Sequence, residues 1–558
     1  WDLRRLVADR VSTEYVGGLR DLCNAQGLKM WLENYGHWGY PGEFLQYGGQ
    51  CDEISGEFWV NGDLGSVELR DGASSAHIYG KNVVWAEAFT GGIPFANSPR
   101  ELKARGDWAF SEGINQFVLH LVIHQPWDDR RPGVNAWFGT EFNRHNTWYG
   151  HAGPWVDYLR RCTVLLQRGL PVADAAYFIG EDAPKMAGVR RPELPAGHDF
   201  DYINAEVIET RLSVKDGRFV LPDGVSYGIL VLPPSETMRP GLLKKIGELA
   251  AAGGAVFGPA PLRSPSLENY PACDDEVKRL AADLWGGGRI LTGDTLDAAF
   301  AKLGLTPDIV CPADMLWKHR RDGETDIYFV SNQKDAARDE TLSFRVDGKA
   351  PELWDAETGR ITAEPPYTAA NGRVDLPLHF DAHSSVFVVF RKPAEGGGRP
   401  APAPKAPKVL AALDGPWTVA FPFGEETFKT LASWTESKNE DVKYFSGEAV
   451  YRASFKTDET KGVILDLGRV NDTAVVRVNG KELGTLWKEP YRLDISAALR
   501  PGKNEVEITV VNPWINRLIG DNRPKAKDRT TFTSTNIVKP GARLKPAGLL
   551  GPVHVLAE

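Results

Sequence analysis

Two glutamates, Glu57 and Glu87, are the residues of this sequence whose surroundings best suit acid–base chemistry. Each follows small or apolar residues and precedes an aromatic side chain, in the segments 56–59 and 85–90. Hydrolysis of a glycosidic bond needs two carboxyl groups, one kept protonated by an apolar setting and one ionised to activate water or to attack directly. An isolated Glu is usually a solvated surface residue. The sequence nevertheless predicts that Glu57 and Glu87 form such a pair.

Aromatic and acidic residues alternate through the segment 31–59, which contains Glu33, Asp52 and Trp59. Pyranose rings present apolar C–H faces that stack on aromatic side chains, whereas carboxylates and amides bond the hydroxyl groups. This composition predicts a carbohydrate-binding cleft. The alternative is an aromatic loop packed over an ordinary core.

A second group of polar and aromatic residues follows, with His120 and His124 after an apolar run and the loop 143–148 behind them. Two histidines four residues apart can bind zinc from one face of a helix, but this stretch is typical of strand and loop and lacks an H-E-x-x-H motif. The five cysteines are scattered and include no C-x-x-C pair. We therefore expect hydroxyl binding or packing here, and not a zinc site.

The elements that must position these residues are short apolar strands that stop on a polar side chain. Strands are predicted at 28–32, 83–86 and 117–119, where they run into Glu33, Glu87 and His120. Helices are predicted over 2–26, 66–79, 99–112 and 152–168. Polar residues at the carboxyl ends of strands are what the catalytic face of a (β/α)8 barrel requires. Because such a barrel takes about 250 residues, residues 1–170 are expected to form its C-terminal part.

The pattern of predicted helices and strands changes several times along the rest of the chain. The predicted fold is therefore multidomain, α/β followed by β. Residues 171–310 alternate strand and helix, which predicts a flavodoxin-like α/β domain without a nucleotide-binding fingerprint. Residues 311–393 are expected to form a small β-sandwich, and 394–408 a Gly/Pro-rich linker. Residues 409–558 predict a jelly-roll β-sandwich.

Composition excludes several classes of protein. The 558 residues carry a net charge of −9 and are 42% hydrophobic, as in ordinary globular proteins. No basic excess supports nucleic-acid binding, and no apolar run of about 18 residues predicts a membrane span. The chain begins at Trp1 instead of Met, so we expect a start, a signal peptide or a longer upstream region to be missing.

Several motifs, taken in order, resemble glycoside hydrolase family 106, the bacterial α-L-rhamnosidases. The similarity covers residues 1–180 well and continues more loosely behind them. The motifs are Gly48-Gly49-Gln50-Cys51-Asp52 with Gly56-Glu57-Phe58-Trp59, Tyr79-Gly80-Lys81 with Ala86-Glu87-Ala88-Phe89-Thr90, His120 with His124-Gln125-Pro126-Trp127, and Asn143-Arg144 with Thr147-Trp148. Residues 409–558 resemble the galactose-binding-like sandwiches that are appended to many glycosidases.

The resemblance implies an exo-acting enzyme that removes terminal α-L-rhamnose from polysaccharides or glycosides with inversion. By position, Glu57 corresponds to the general acid and Glu87 to the general base, and this chemistry needs no cofactor. The implied sugar-binding residues are Glu33, Asp52, Trp59, Tyr79, His120, His124, Asn143, Arg144 and Trp148. The resemblance also implies a calcium ion near the sugar, with ligands that the sequence does not identify, and a periplasmic or secreted bacterial protein. Because the family's barrel begins upstream, we expect the chain to be inactive without that half.

Two alternatives stay open. Clan-A β-galactosidase-like enzymes share the order of elements but retain the configuration of the sugar. Their two carboxyl groups lie about 5–5.5 Å apart, whereas those of inverting enzymes lie about 6.5–9.5 Å apart. A carbohydrate-binding protein without turnover is the non-enzymatic alternative.

In residues 409–558, Trp487 or Trp514 could supply an accessory sugar-binding face, although a structural brace for the barrel is favoured. Oligomeric state, linkage and aglycone are not readable from the sequence.

Overall fold

The candidate glutamates lie on one parallel sheet near the start of the chain. The computed structural model describes residues 1–34, 41–62, 64–394, 396, 398–399, 407–524, 526, 529–539 and 541–557. Four strands pair in chain order and run parallel: β1 (Trp31–Glu33), β2 (Glu53–Trp59), β3 (Val84–Thr90) and β4 (Gln116–Leu119). All three predicted strands are present, but β1 is shorter than the predicted 28–32 and β3 continues past Glu87 to Thr90. Within the described residues the sheet has four strands and does not close on itself.

Helices connect these strands and cover one face of the sheet. The helix Pro99–Ser111 begins with Pro99 and a capping box in which Ser98 and Glu101 bond each other's backbone. Gly56 lets the helix Val67–Ile78 approach β2, because a Cβ there would lie 2.8 Å from a backbone oxygen of that helix. The helices of this region are Asp2–Arg10 and Gly17–Ala25, joined through Val11–Val16, and Phe44–Gln50, Val67–Ile78, Pro99–Ser111 and Gly153–Leu166.

An aromatic cluster fixes the helix-covered side of the sheet. Phe58, Phe89 and Phe117 come from three neighbouring strands, with ring centroids 5.0–5.6 Å apart. Phe110 of the helix Pro99–Ser111 stacks on Phe117 at 4.7 Å. Burying rings of this size contributes roughly 2–3 kcal/mol each. The cluster therefore holds the three strands in register from the side opposite Glu57.

A second parallel sheet follows, with helices around it. Its strands, in spatial order, are Val256–Phe257, Ile229–Val231, Ala175–Phe178 and Phe200–Ile203. If the four strands are numbered along the chain, their spatial order is 4-3-1-2. Read from the other edge this order is 2-1-3-4, with which one type of doubly wound sheet begins. The helices are Ala205–Thr210, Pro240–Ala251, Ala272–Gly286 and Asp297–Leu303, and a small antiparallel sheet consists of Ser213–Lys215, Arg218–Val220 and Ser226–Tyr227.

Two antiparallel sheets come next. The first, in spatial order, contains Ile309–Val310, Arg338–Phe344, Arg373–Phe380, Tyr367–Ala370 and Gly398–Arg399. The second contains Ile361–Ala363, Lys349–Trp354, Ser385–Pro393, Thr325–Asn332, Met315–Asp322 and Leu170–Pro171. Leu170–Pro171 thus joins a sheet of residues that are distant in sequence. Most of the linker predicted at 394–408 lies outside the described residues.

The C-terminal part is also built of antiparallel sheets. One contains Lys408–Ala412, His554–Ala557, Val463–Asp466 and Arg492–Asp494, and another contains Gly424–Phe428, Trp417–Phe421, Gly447–Thr457, Gly502–Asn512, Thr473–Val478 and Lys481–Leu486. Arg469–Asn471 pairs with Gly548–Gly551, and short helices lie at Glu440–Lys443 and Ile515–Asp521. The multidomain α/β-plus-β organisation is confirmed, whereas the exact domain boundaries stay predictions.

Within the described residues, no helix combines the length and apolarity that a bilayer crossing requires.

Buried ion pairs tie the first three regions together. Asp199 accepts hydrogen bonds from Arg70 at 2.8 Å and from Lys318 at 2.7 Å, which joins the first region, the second sheet and the antiparallel layers. Burial alone would raise the pKa of Asp199, but the charges of Lys318 and Arg70 hold it far below its ordinary value. Removing one partner would leave a buried charge unpaired, so these regions are expected to keep one arrangement.

The C-terminal part is clamped to the first region by polar contacts. Arg100 donates to the Glu489 carboxylate at 2.8 and 2.9 Å, and Lys545 Nζ donates to the Ala96 carbonyl at 2.7 Å. Pro132–Gly133 pairs in parallel with Phe532–Thr533. The loops beyond β3 and β4 are therefore held from two sides.

Candidate active site

Three carboxylates converge at the carboxyl ends of β1, β2 and β3. One carboxylate oxygen each of Glu33, Glu57 and Glu87 lies within 4.8 Å of the others. The strand register produces this arrangement, because Glu57 pairs directly with Glu87, and Glu33 pairs with Ser55, two positions before Glu57 on the same face. Residues opposite each other in a parallel pair point to the same side of the sheet. The structure thus brings together the two glutamates of the predicted catalytic pair and adds a third.

The environments of the two central carboxylates differ. Glu57 is only 3% exposed and accepts a hydrogen bond from the Trp59 indole. The Glu87 side chain is 18% exposed, accepts a hydrogen bond of 2.5 Å from the Thr90 hydroxyl and lies 3.8 Å from His120 Nε2. Different surroundings let two neighbouring carboxyl groups divide the roles of acid and base. Three carboxylates this close also repel one another unless a proton or a cation lies between them.

His120 is held by a loop that folds back over the end of β4. The backbone N–H of His120 donates to Ala88 of β3 at 3.0 Å, and its carbonyl accepts from Thr140 at 3.3 Å. Phe138 stacks on the imidazole with ring centroids 5.5 Å apart. Within the described residues, His120 Nδ1 is buried and has no hydrogen-bond partner. Glu33, Trp59 and His120 of the predicted sugar-binding set therefore lie at the carboxylate cluster.

Two predicted sugar-binding residues lie at the opposite edge of the sheet, which corrects their assignment. Asp52 precedes β2 and accepts a hydrogen bond of 2.7 Å from the Met30 backbone. Tyr79 ends the helix that returns to the start of β3, and its hydroxyl accepts from Asn204 at 3.0 Å. Amino ends and carboxyl ends of parallel strands lie on opposite edges, so neither side chain reaches the glutamates.

The assignment of Trp148 as a sugar-binding residue is also corrected, because its side chain has no exposed face on which a sugar could stack. It is 2% exposed, packs against Phe142 and Trp155, and donates from its indole to the Asn97 carbonyl at 3.0 Å. Its role is to fix the loop before the helix Gly153–Leu166.

The remaining predicted polar residues, Asn143, Arg144 and His124, differ in burial and in their partners. Asn143 is buried and donates to Glu141 at 3.2 Å, which makes it a support of the loop. Arg144 is partly exposed and pairs with Asp128 at 2.7 Å. His124 is exposed, beyond the end of β4. The aromatic residues Tyr35, His37, Trp38 and Tyr40, which contributed to the predicted cleft, lie outside the described residues.

Three residues of this region are not among those predicted from the sequence. On the loop that folds over β4, Phe138 stacks on His120 and Trp137 contacts Phe138. Glu141 is fully buried, and its burial raises the pKa of the carboxyl group to about 7, although Asn143 opposes this shift. None of the three ends an apolar run or belongs to one of the motifs that resemble the family.

Comparison with known proteins places this geometry in a family. The model of the glycoside hydrolase 106 family, described as α-L-rhamnosidase, matches residues 1–368 of the 558. The chain belongs to this family. A galactose-binding-like domain model of glycoside hydrolase family 2 matches residues 433–538. Both the suspected family and the predicted C-terminal domain type are confirmed.

Two relatives of this family member span more sequence than it does. The solved rhamnosidase from Novosphingobium sp. PP1Y is 36% identical with a TM-score of 0.92, and the match covers 100% of this chain and 56% of that one. A putative β-glucuronidase from Formosa agariphila is 28% identical, with 100% of this chain and 69% of that protein covered. The chain thus spans little more than half of the solved rhamnosidase.

The galactose-binding-like part of this α-L-rhamnosidase family member contacts the first region through its tryptophans. Trp487 is 5% exposed and packs against Tyr158, with ring centroids 5.8 Å apart. Trp514 donates from its indole to the His145 carbonyl at 2.7 Å. These contacts favour a brace over an accessory sugar-binding face.

The raised pKa of Glu141 predicts a pH dependence of stability. The folded state keeps a proton that the unfolded state loses above its ordinary pKa of 4.5, so stability is expected to fall as pH rises from 4.5 towards 7. Glu141→Gln removes the ionisable group. We expect urea unfolding to show the variant about 2–3 kcal/mol more stable than the parent at pH 8 and close to it at pH 5.

The exposed Glu276 supplies the control for this experiment. Glu276→Gln should follow the parent protein at both pH values. If the Glu141→Gln variant showed the same pH dependence as the parent, Glu141 would not be the group that titrates near pH 7.

Proposed function

We propose that the chain carries the catalytic carboxyl groups of an exo-acting α-L-rhamnosidase, which releases terminal α-L-rhamnose from polysaccharides or glycosides. The observation that carries this proposal is the direct pairing of Glu57 with Glu87 at the carboxyl end of the sheet. The solved rhamnosidase, similar over this whole chain, supports the same substrate class.

In this proposal the two glutamates have separate tasks. Glu57, buried against the Trp59 indole, donates a proton to the glycosidic oxygen as the bond to the leaving group breaks. Glu87, more exposed and oriented by Thr90, accepts the proton of the water that attacks the anomeric carbon. Glu33 and His120 lie beside the pair and bind sugar hydroxyl groups. Inversion of configuration follows from direct attack by water.

Amide variants of the pair test this assignment. Glu57→Gln and Glu87→Gln keep the side-chain shape but remove proton transfer, so kcat on an aryl α-L-rhamnoside should fall by about 10²–10⁴-fold. Glu53→Gln, at the other end of the same strand, is the matched control and should keep the parent activity. Near-parental turnover by either active-site variant would overturn the assignment. Binding of rhamnosides by a parent protein that never hydrolyses them would favour the carbohydrate-binding alternative.

One observation favours a second candidate, a retaining glycosidase. Carboxylate oxygens of Glu57 and Glu87 within 4.8 Å of each other are nearer to the spacing of about 5–5.5 Å in retaining enzymes than to about 6.5–9.5 Å in inverting ones. In that mechanism one carboxylate attacks the anomeric carbon and a covalent intermediate forms before water enters. The inverting proposal rests on the family resemblance and requires a wider separation once sugar and water are bound.

The first product distinguishes the two mechanisms. Proton NMR during hydrolysis of an α-L-rhamnoside should show β-L-rhamnose before mutarotation if water attacks directly. Initial release of α-L-rhamnose would contradict inversion and establish the retaining mechanism for the same pair.

The three-glutamate cluster also fits the calcium ion that the family resemblance implies. Calcium takes oxygen ligands at about 2.3–2.6 Å, so two ligands of one ion lie at most about 5.2 Å apart. Oxygens of Glu33, Glu57 and Glu87 satisfy this limit, and these residues would hold the ion. Bound calcium would supply positive charge and coordination positions for sugar hydroxyl oxygens. A carboxylate that binds the ion cannot donate a proton at the same time, so Glu57 can serve only one of the two roles.

Calcium binding is tested by stability as well as by activity. We expect EDTA to lower the activity and calcium to restore it, and we expect calcium to raise the Tm of the parent protein. Glu33→Gln should reduce the rise in Tm because it removes one anionic ligand. An unchanged Tm with and without calcium in the parent would contradict the site.

We further propose that β1–β4 belong to a (β/α)8 barrel, and that the second sheet is a flavodoxin-like domain. The parallel order of β1–β4 and the exposure of Leu3, Leu6 and Leu22 on the first two helices support the barrel. A crystal structure of the protein would test it, because a barrel requires a further strand on the outer edge of β1. A periplasmic or secreted location stays a proposal, which cell fractionation would test.

A further inference from the structure

Trp137 is an exposed tryptophan on the loop that packs against His120 of the candidate site. It is 74% exposed, more than any other large hydrophobic side chain of the described residues. An indole of this size buries 150–250 Å² when it is covered, so leaving it in water forgoes a large gain in free energy. A single exposed hydrophobic side chain is common on protein surfaces, so the meaning of Trp137 depends on what lies beside it.

A short series of contacts connects Trp137 to the reacting groups. Its ring contacts Phe138, with centroids 4.4 Å apart, and Phe138 stacks on His120. His120 Nε2 in turn lies 3.8 Å from Glu87. Two side chains, Phe138 and His120, therefore lie between Trp137 and Glu87, which puts the indole on the periphery of the candidate site.

The loop that carries Trp137 is fixed to the catalytic strands on one side. The backbone N–H of Gly139 donates to Gly91, after β3, at 3.2 Å. Gly139 has a φ of +95°, and a Cβ there would lie 2.3 Å from Leu121 Cδ2 and 3.0 Å from His120 Nδ1. Glycine is needed at this position because the backbone approaches His120 so closely.

The C-terminal part fixes the same loop on the other side. Asn135 accepts and donates hydrogen bonds with Ser534 and Thr535 at 3.0–3.1 Å, next to the paired segment 132–133. A loop held from both sides presents the backbone of Trp137 in one position. Such preorganisation lowers the entropy cost of binding a ligand.

We propose that Trp137 is the stacking platform for the leaving group, the ring attached to the rhamnose that is released. The ligand class is a flat ring with an apolar face, either the C–H face of a second sugar or an aromatic aglycone. This inference rests on the proposed glycosidase function and adds the subsite that selects what the rhamnose is attached to. Its position beyond His120 and Phe138 assigns it to the leaving group and not to the rhamnose itself.

Kinetics with three substrates test the subsite. α-L-Rhamnosyl fluoride has a leaving group without a ring, 4-nitrophenyl α-L-rhamnoside has an aromatic one, and an α-L-rhamnosyl-glucose disaccharide has a sugar. Trp137→Ala should lower kcat/KM by about tenfold for substrates whose ring stacks on the indole and leave the fluoride unchanged. Trp137→Phe should restore most of the loss. A loss confined to the nitrophenyl substrate identifies an aromatic aglycone, and a loss confined to the disaccharide identifies a sugar.

Tyr270→Ala, which removes a 63% exposed aromatic side chain elsewhere, is the matched control and should change none of the three values. Equal losses for all three substrates, or no loss for any, would overturn the leaving-group subsite. If the full-length protein hydrolyses no rhamnoside, the proposed function fails separately. Calorimetry with the disaccharide and the nitrophenyl rhamnoside then decides the subsite: about tenfold weaker binding of either ligand by Trp137→Ala supports it, and equal binding of both overturns it.

Discussion

Three carboxylates held within 4.8 Å of one another are the constraint on which the rest of this structure depends. Like charges at that distance oppose folding unless a proton, a cation or a substrate reduces the repulsion. The position of the cluster is set by the register of three parallel strands, and that register is fixed from the opposite face by Phe58, Phe89 and Phe117. The phenylalanine cluster on one face of the sheet thus keeps the three carboxylates close together on the other face, although they repel one another.

The C-terminal part has its clearest role in supporting loops. It pairs with the segment 132–133, bonds Asn135 and the His145 carbonyl, and holds Arg100 through Glu489. Its tryptophans are used in these contacts and in packing. A galactose-binding-like domain in this chain therefore acts on the candidate active site through the position of the loops around it.

Local patterns in the sequence were enough to find three of the four strands and the glutamates. Glu33 and Glu87 follow apolar runs, which indicated the presence of the strands but not the bounds of β1 and β3. The bounds of β2 were not inferred, because Gly56 and the polar residues around it interrupt the apolar pattern. Asp52 and Tyr79 were misplaced because a motif does not say at which edge of the sheet its residues lie. Trp148 was misjudged because an aromatic residue suits a core as well as a sugar.

What sequence alone could not supply was long-range contact. Glu141 has a raised pKa only because the folded loop buries it, and Trp137 gains its interest only from its position next to His120. Neither the burial of Glu141 nor the packing of this loop against His120 follows from the local sequence pattern.

The most direct test of the central claim is a crystal structure of the protein with an iminosugar of L-rhamnose configuration. The account predicts that the inhibitor lies at the carboxyl ends of β1–β3, with its ring nitrogen within about 3.2 Å of a Glu57 or Glu87 oxygen. An inhibitor bound elsewhere, with no contact to either carboxylate, would contradict the account.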